Sequence, residues 1–247
     1  MWVRLLLQLL IKYMVPLQLD SNSMKILSLF LGLILFTPYF LGADESVAFG
    51  AISTKFTADL PTSVTVSGSS PVGFVFVIGD LTDTLTSVTW DGASMALVSK
   101  VQIPGDRFIY AWCIVSPVTG TIDFTGATFT HGYSSFYTGG KQTSCPDSSG
   151  TNTASASSAI GVTTNVVASN SWTITFSADD VGGQTYTTDV GLVRATETAV
   201  GLTISDSNAT VATGNNSTTH TQGGSARDLG GISLSIAPNV LVAASFN

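Results

Sequence analysis

Past Ala43 the chain never sustains an apolar period of 3.6 residues, and glycine interrupts every window long enough for a helix. It offers instead short β-branched and aromatic runs bounded by Gly, Pro, Asp, Asn and Ser, the pattern of strands joined by tight turns. Of the 204 residues after Ala43, 60 are Ser or Thr, which suits strands with one wet face better than helices. The sequence therefore predicts an all-β fold, arranged as a two-sheet antiparallel β-sandwich.

Eleven strands are expected, near residues 63–67, 72–78, 87–90, 95–101, 108–116, 121–124, 133–137, 159–164, 171–177, 190–196 and 231–237. The run Val72-Gly-Phe-Val-Phe-Val-Ile78 is apolar on both faces, as a strand covered on both sides would be, and Phe108 to Val115 reads likewise. Trp90-Asp91-Gly92-Ala93 predicts a hairpin, because Asp-Gly accepts the positive φ angles of a type I′ turn. Residues 143–158 and 208–224 are polar, small and Gly-containing, and read as surface loops. Were the first of these a linker, each side would hold too few strands to cover its own core. Residues 44–247 are therefore taken as a single domain.

The first 43 residues read as a hydrophobic leader helix. Residues 1–19 carry Arg4, Lys12 and the helix-breaking Pro16, and would span a bilayer poorly. From Met24, a candidate true start, Lys25 supplies a positive region, Ile26 to Phe36 an apolar one, and Pro38 to Ala43 an exit ending in small residues. Cleavage is expected after Ala43. The competing reading is an uncleaved anchor, since Ile26 to Gly42 gives 17 uncharged residues, the lower edge of a spanning helix. Either way the sequence predicts a secreted or cell-surface protein, touching membrane only through an uncleaved leader.

Charged residues make up only 10% of the chain, against roughly 25% in an average soluble domain. With a formal charge of −7 there is no basic field to gather nucleic acid or an anionic membrane. The 44% apolar content argues against a disordered chain.

Catalytic patterns are sparse. His131 and His220 are the two histidines, both read as solvated loop residues, and the Gly-x-Ser-x-Gly elbow does not occur. Glu45 and Glu197 are the two glutamates, so a glycosidase pair would draw on Asp91, Asp123, Asp147, Asp179, Asp180, Asp189, Asp206 or Asp228. None of these is singled out by its context. No cofactor is expected, since no phosphate-binding glycine loop or EF-hand spacing occurs. Asp179 and Asp180 before Val181-Gly182-Gly183 are weak candidates for a cation loop, and a plain turn is the preferred reading. Cys113 and Cys145 lack zinc-ligand spacing. Export would allow them to pair, although a strand cysteine is more often a small buried hydrophobe. Sequons stand at Asn208-Ala-Thr210 and Asn216-Ser-Thr218. The tentative ligand-binding residues are Trp90 with Asp91 at a hairpin tip, and Tyr133 and Tyr137. Exposed aromatics at a sandwich rim stack sugar rings, whereas Phe136 is assigned to the core by strand alternation.

Three segments carry a family likeness. They are Val88-Thr-Trp-Asp-Gly-Ala-Ser-Met95 followed by Leu97-Val98, then Tyr110-Ala-Trp112 with Val115-Ser-Pro117 and Gly120, then Tyr137-Thr-Gly-Gly-Lys-Gln142 with Pro146-Asp147-Ser148-Ser149. In this order they resemble an uncharacterised jelly-roll-like β-sandwich domain of environmental bacteriophage virion or tail-associated proteins and secreted bacterial proteins. The resemblance spans about Ser46 to Pro238. It implies a sandwich that serves in surfaces, assemblies or attachment, and it brings no catalytic residues. Cys145 and the leader depart from it. The expectation is a non-enzymatic extracellular or virion-surface module acting in assembly or adhesion. The alternative is a carbohydrate-binding module or glycan-active enzyme using loop aspartates. A glycan or cell-surface partner is expected, or a homo-oligomer formed by sheet packing or strand addition, with Val240 to Ala244 as a donor segment.

Overall fold

A computed structural model describes residues 45–57, 62–83, 85–105, 107–126 and 131–240. The described residues belong to one compact unit, Ala43–Val242. The leader and all but Val240 of the proposed donor segment lie outside the described residues.

The described residues are all-β and their sheets are antiparallel. The first half contributes β1 (Ala48–Ile52), β2 (Thr62–Val64), β3 (Val72–Asp80), β4 (Ser87–Trp90), β5 (Ala93–Ser94), β6 (Ala96–Ile103), β7 (Arg107–Val115), β8 (Gly120–Thr125) and β9 (His131–Thr138). The second contributes β10 (Ser148–Ser157), β11 (Ala159–Val166), β12 (Trp172–Asp179), β13 (Tyr186–Thr188), β14 (Leu192–Glu197), β15 (Leu202–Asp206), β16 (Gly214–Gln222) and β17 (Arg227–Ile236). One 3-10 turn, Thr198–Val200, precedes β15.

The strands distribute over four sheets where two were expected. The N-sheet has the order β1-β9-β3-β7-β6, and the N-cover the order β2-β8-β4-β5. The C-sheet runs β10-β17-β12-β15-β14, and the C-cover β11-β16-β13. Among the described residues, every pairing between named strands stays within its own half of the chain. The largest core nonetheless lies between the two halves and is built from both.

Strand periodicity explains the layering, since successive side chains point to opposite faces. Phe74, Phe76 and Ile78 on β3 and Ile109 and Ala111 on β7 meet Ile174, Phe176, Ile232 and Leu234 of the C-sheet in the central core. The intervening Val75, Val77, Tyr110 and Trp112 point the other way and pack with Val64, Val88, Trp90 and Ile122 of the N-cover. This is why β3 and β7 are apolar on both faces. A smaller cluster of Ile160, Val162, Tyr186 and Leu229 joins the C-cover to the C-sheet.

That last interface is mostly polar. The C-sheet face turned toward the C-cover carries Thr173, Thr175, Ser177, Thr203, Ser205 and Ser233, all buried, and the cover answers with Thr164, Thr218, His220 and Gln222. A buried hydroxyl is costly unless bonded. Thr175 Oγ1 donates to Ser233 Oγ at 3.2 Å, and Ser148 Oγ lies 3.3 Å from Thr164 Oγ1.

Two expected loops are strands. Residues 148–157 form the edge strand β10, and 214–222 form β16, paired with β11 from Ala159↔Thr221 to Val166↔Gly214. Neither carries the apolar alternation that marks a half-buried strand, because β10 is an edge and the buried side of β16 is polar.

Candidate functional site

Asp91 and Gly92 both take positive φ, +49° and +77°, so the Asp-Gly hairpin forms as the sequence predicts. Its geometry sends Trp90 inward. The ring is 1% exposed, lies against Gly73, and its Nε1 donates to Val118 O at 2.7 Å. Asp91 alone of the pair is exposed, and its backbone N–H donates to Thr121 O at 2.7 Å.

Tyr137 is fully buried in the central core, with its ring edge-on to Phe49, Phe74 and Trp172. Its hydroxyl donates to Asp206 Oδ2 at 2.9 Å, and burial pushes its ionisation well above the ordinary tyrosine range. Tyr133 shares that core at 7% exposure. Trp90 belongs instead to the core on the opposite face of the N-sheet. The four tentative ligand residues are therefore not brought together, and no stacking platform forms from Trp90, Tyr133 and Tyr137. Hydrophobic burial claims an aromatic at a sandwich position unless a loop holds it out.

Asp179 is fully buried and is spent on the turn that follows it. Oδ1 accepts from the N–H groups of Val181, at 3.0 Å, and Gly182, while Oδ2 accepts from Tyr186 Oη at 2.8 Å. The turn reading of Asp179 and Asp180 is the one the geometry supports. Among the described residues no cluster of three His, Cys, Asp or Glu stands within reach of one metal ion.

Other carboxylates follow the same rule. Asp189 Oδ1 accepts from Thr219 N at 2.6 Å, and Asp228 Oδ1 from Ala156 N at 2.8 Å. Asp206 Oδ2 also receives Arg194 Nε at 2.7 Å, and Arg194 stacks over Phe49 at 4.0 Å. Glu197 accepts from Ala199 N and pairs with Lys55 at 2.7 Å, a contact that holds its carboxyl below the usual range.

His220 was expected in a solvated loop and is instead fully buried. Its Nε2 lies 2.6 Å from Ser205 Oγ and its Nδ1 2.8 Å from Ser177 Oγ. A serine beside an imidazole that is held from behind has the form of a nucleophile and base. Here all three residues are sealed between two sheets, so the arrangement ties the C-cover to the C-sheet. Sequence reasoning missed it because no apolar alternation flags β16. His131 stands at the start of β9, half-buried, with its pKa lowered chiefly by desolvation.

The segments that carried the family likeness sit at the hairpin, on β7 and the turn after it, and at the crossing between halves. Lys141 N donates to Ala237 O at 2.9 Å, Gly140 bridges Pro238, and Gln142 Nε2 donates to Gly140 O at 2.7 Å. Lys141 Nζ reaches Asp147 Oδ1 at 3.2 Å. Cys113 and Cys145 form a disulfide with Cα atoms 6.0 Å apart, where a small buried hydrophobe was the preferred reading for Cys113. These contacts clasp the chain where it passes from the N-sheet to the C-sheet.

Hydroxyls and amides dominate the accessible surface of the C-half. On the C-cover, Thr163, Asn165, Asn215 and Ser217 are exposed, with Thr163 opposite Ser217 and Asn165 opposite Asn215. No known protein family, curated protein or solved structure matches this chain.

Proposed function

We propose that the protein is a non-enzymatic extracellular or virion-surface module acting in assembly or adhesion. The observation that carries this reading is the use to which its chemistry-bearing side chains are put. Asp179, Asp206, His220, Tyr137 and Trp90 are all buried and hydrogen-bonded within the fold. The exposed rows of β10 and of the β11–β16 face, Thr163 with Ser217 and Asn165 with Asn215, are uncharged and polar, while the exposed charges Lys55, Asp80, Asp91, Lys100, Asp123 and Asp189 stand outside these rows. Such a surface is cheap to desolvate, because few ions must shed their water when another surface closes on it.

The finer architecture belongs to the same proposal: the N-sheet and C-sheet form the jelly-roll-like sandwich of the phage and secreted-protein family that the sequence resembles. The leader then places the module outside the cell or at its surface, with the virion as the alternative setting. Light scattering across a concentration series tests the assembly reading, and a chain that stays monomeric and binds no cell surface would refute it.

A second reading, a carbohydrate-binding module, draws on one observation: the uncharged Thr, Ser and Asn rows of the C-cover could exchange hydrogen bonds with a neutral polyhydroxylated chain. A glycan array with analysis of new reducing ends separates the outcomes. Saturable binding without new ends indicates a module, and new ends indicate an enzyme.

A further inference from the structure

A strand at the edge of a sheet presents unpaired N–H and C=O groups, and proteins blunt such edges with bulges, charges, proline or brevity. Three of the four edges of the two central sheets follow this rule. The five-residue β1 is bulged between Phe49 and Ala51. In β6 the bulge falls between Leu97 and Ser99, and the strand carries Lys100. In β14 it falls between Val193 and Ala195, and the strand carries Arg194.

The fourth edge, β10, has none of these devices along most of its length. Its ten residues are Ser, Gly, Thr, Asn and Ala, with no charge and no proline. It pairs with β17 in unbroken register from Ser148↔Ser235 to Ala154↔Leu229, and the only irregularity lies beyond, between Ala154 and Ser157. Ser149, Thr151, Asn152 and Thr153 are exposed.

We propose that β10 pairs antiparallel with β10 of a second copy of this chain, about a two-fold axis at Thr151. The inference deepens the assembly reading and rests on it. Thr151 is the middle of the regular segment, so the pairing sets Ser148 opposite Ala154, Ser149 opposite Thr153 and Gly150 opposite Asn152. Ser149 with Thr153, and Thr151 with its own copy on the axis, are hydroxyl pairs of the kind that stabilise antiparallel neighbours, and no like charges meet. A chain of net charge −7 repels its own copies in general, so a neutral edge is where two copies approach at least cost.

The register also keeps the faces matched. Ser148, Gly150 and Asn152 are turned to the C-cover, through Thr164, the Thr163 carbonyl and the Gly161 carbonyl. Pairing even positions with even positions puts the covers of both copies on the same side, whereas a slip of one residue would invert one copy. The C-sheets then join into one continuous sheet across an isologous interface.

The test uses the purified full chain. Thr151→Cys should give a disulfide-linked dimer on mild oxidation, while Thr163→Cys, exposed on the outer face of β11, should not. Thr151→Lys sets two like charges opposite each other and should raise the dimer dissociation constant roughly fivefold or more, with an unchanged circular dichroism spectrum. If the native chain associates but Thr151→Lys has no effect and Thr151→Cys stays unlinked, the β10 pairing is wrong while the assembly reading stands. A native chain that stays monomeric at every concentration tried overturns the β10 pairing and the assembly arm of the proposed function, and leaves adhesion to be decided by cell-surface binding.

Discussion

Tyr137 on β9 donates its hydroxyl to Asp206 on β15, 2.9 Å away, and so ties the N-sheet to the C-sheet through the buried core. The carboxylate it meets is fully buried and takes Arg194 Nε at 2.7 Å on the same oxygen, while Oδ1 accepts from Asn208 N at 3.0 Å. A second tyrosine performs the same office between the other two layers of the C-half, Tyr186 Oη donating to Asp179 Oδ2 at 2.8 Å. Each tie meets a buried charge whose desolvation must be answered by donors.

The Asp206 site therefore predicts unequal costs. Tyr137→Phe removes one donor and leaves the ion pair, and should lower unfolding free energy by about 1–3 kcal/mol. Arg194→Met leaves the carboxylate without its cation and should cost about 3–5 kcal/mol, even though the methionine keeps much of the packing on Phe49. Urea unfolding of both variants checks the order. Equal costs would mean that the pair contributes only its packing.

His220 predicts a stability that falls with acid. Burial holds its pKa down to about 4 from 6.5, because an imidazolium between Ser177 and Ser205 would lose its water. The unfolded chain takes up the proton near 6.5 and the folded chain does not, so stability is full above that pH. It declines as pH drops from about 6.5 to about 4, by about 3 kcal/mol in total. His131, whose pKa is also lowered by burial, adds a smaller slope of the same sign. In His220→Gln most of that slope should vanish, as measured by urea midpoints between pH 7.5 and 4. An unaltered slope would place the titration elsewhere.

The sequence made the apolar interior legible and the polar interior invisible. All eleven expected strands exist within a few residues of their predicted positions, because β3, β7 and β12 carry long β-branched and aromatic runs. β16 escaped notice because its buried side is Thr218, His220 and Gln222, residues that a search for apolar alternation takes for a loop. β10 escaped because an edge buries little on either face. β15 did carry a signal in Leu202 and Ile204, alternating over too short a span to stand out. At the candidate site the turn chemistry of Asp91-Gly92 was readable, since it is local. The fate of Trp90 and Tyr137 was not, since burial depends on which layers stack over them.

At Gly150 the C-cover backbone presses directly on its sheet. A Cβ there would fall on the carbonyl oxygen of Thr163, a backbone atom that cannot swing aside. Gly150→Ala should therefore push β11 away from β10 and cost about 2 kcal/mol or more, within the range for overpacking. Hydrogen exchange is the informative readout, because loosening should concentrate in β11, β13 and β16 while β3 and β7 keep their protection. Uniform loss of protection would show instead that the cover and the central sheets open as one unit.

The disulfide predicts a covalent link that can be read directly and a cost for removing it. Peptide mapping without reduction should return one cross-linked pair, Cys113 on β7 with Cys145 in the crossing segment. The closed loop spans a sequence separation of 32 residues, for which the loop-entropy account gives about 3–4 kcal/mol of stabilisation. The link fastens the crossing segment to β7 of the N-sheet, and the backbone bond from Lys141 N to Ala237 O holds the same segment to the C-half. Cys113→Ala with Cys145→Ala should therefore lower the urea midpoint and expose the crossing segment to proteolysis near Pro146. The central strands should stay protected at low denaturant, because Phe74, Phe76 and Phe176 still pack there without the cross-link.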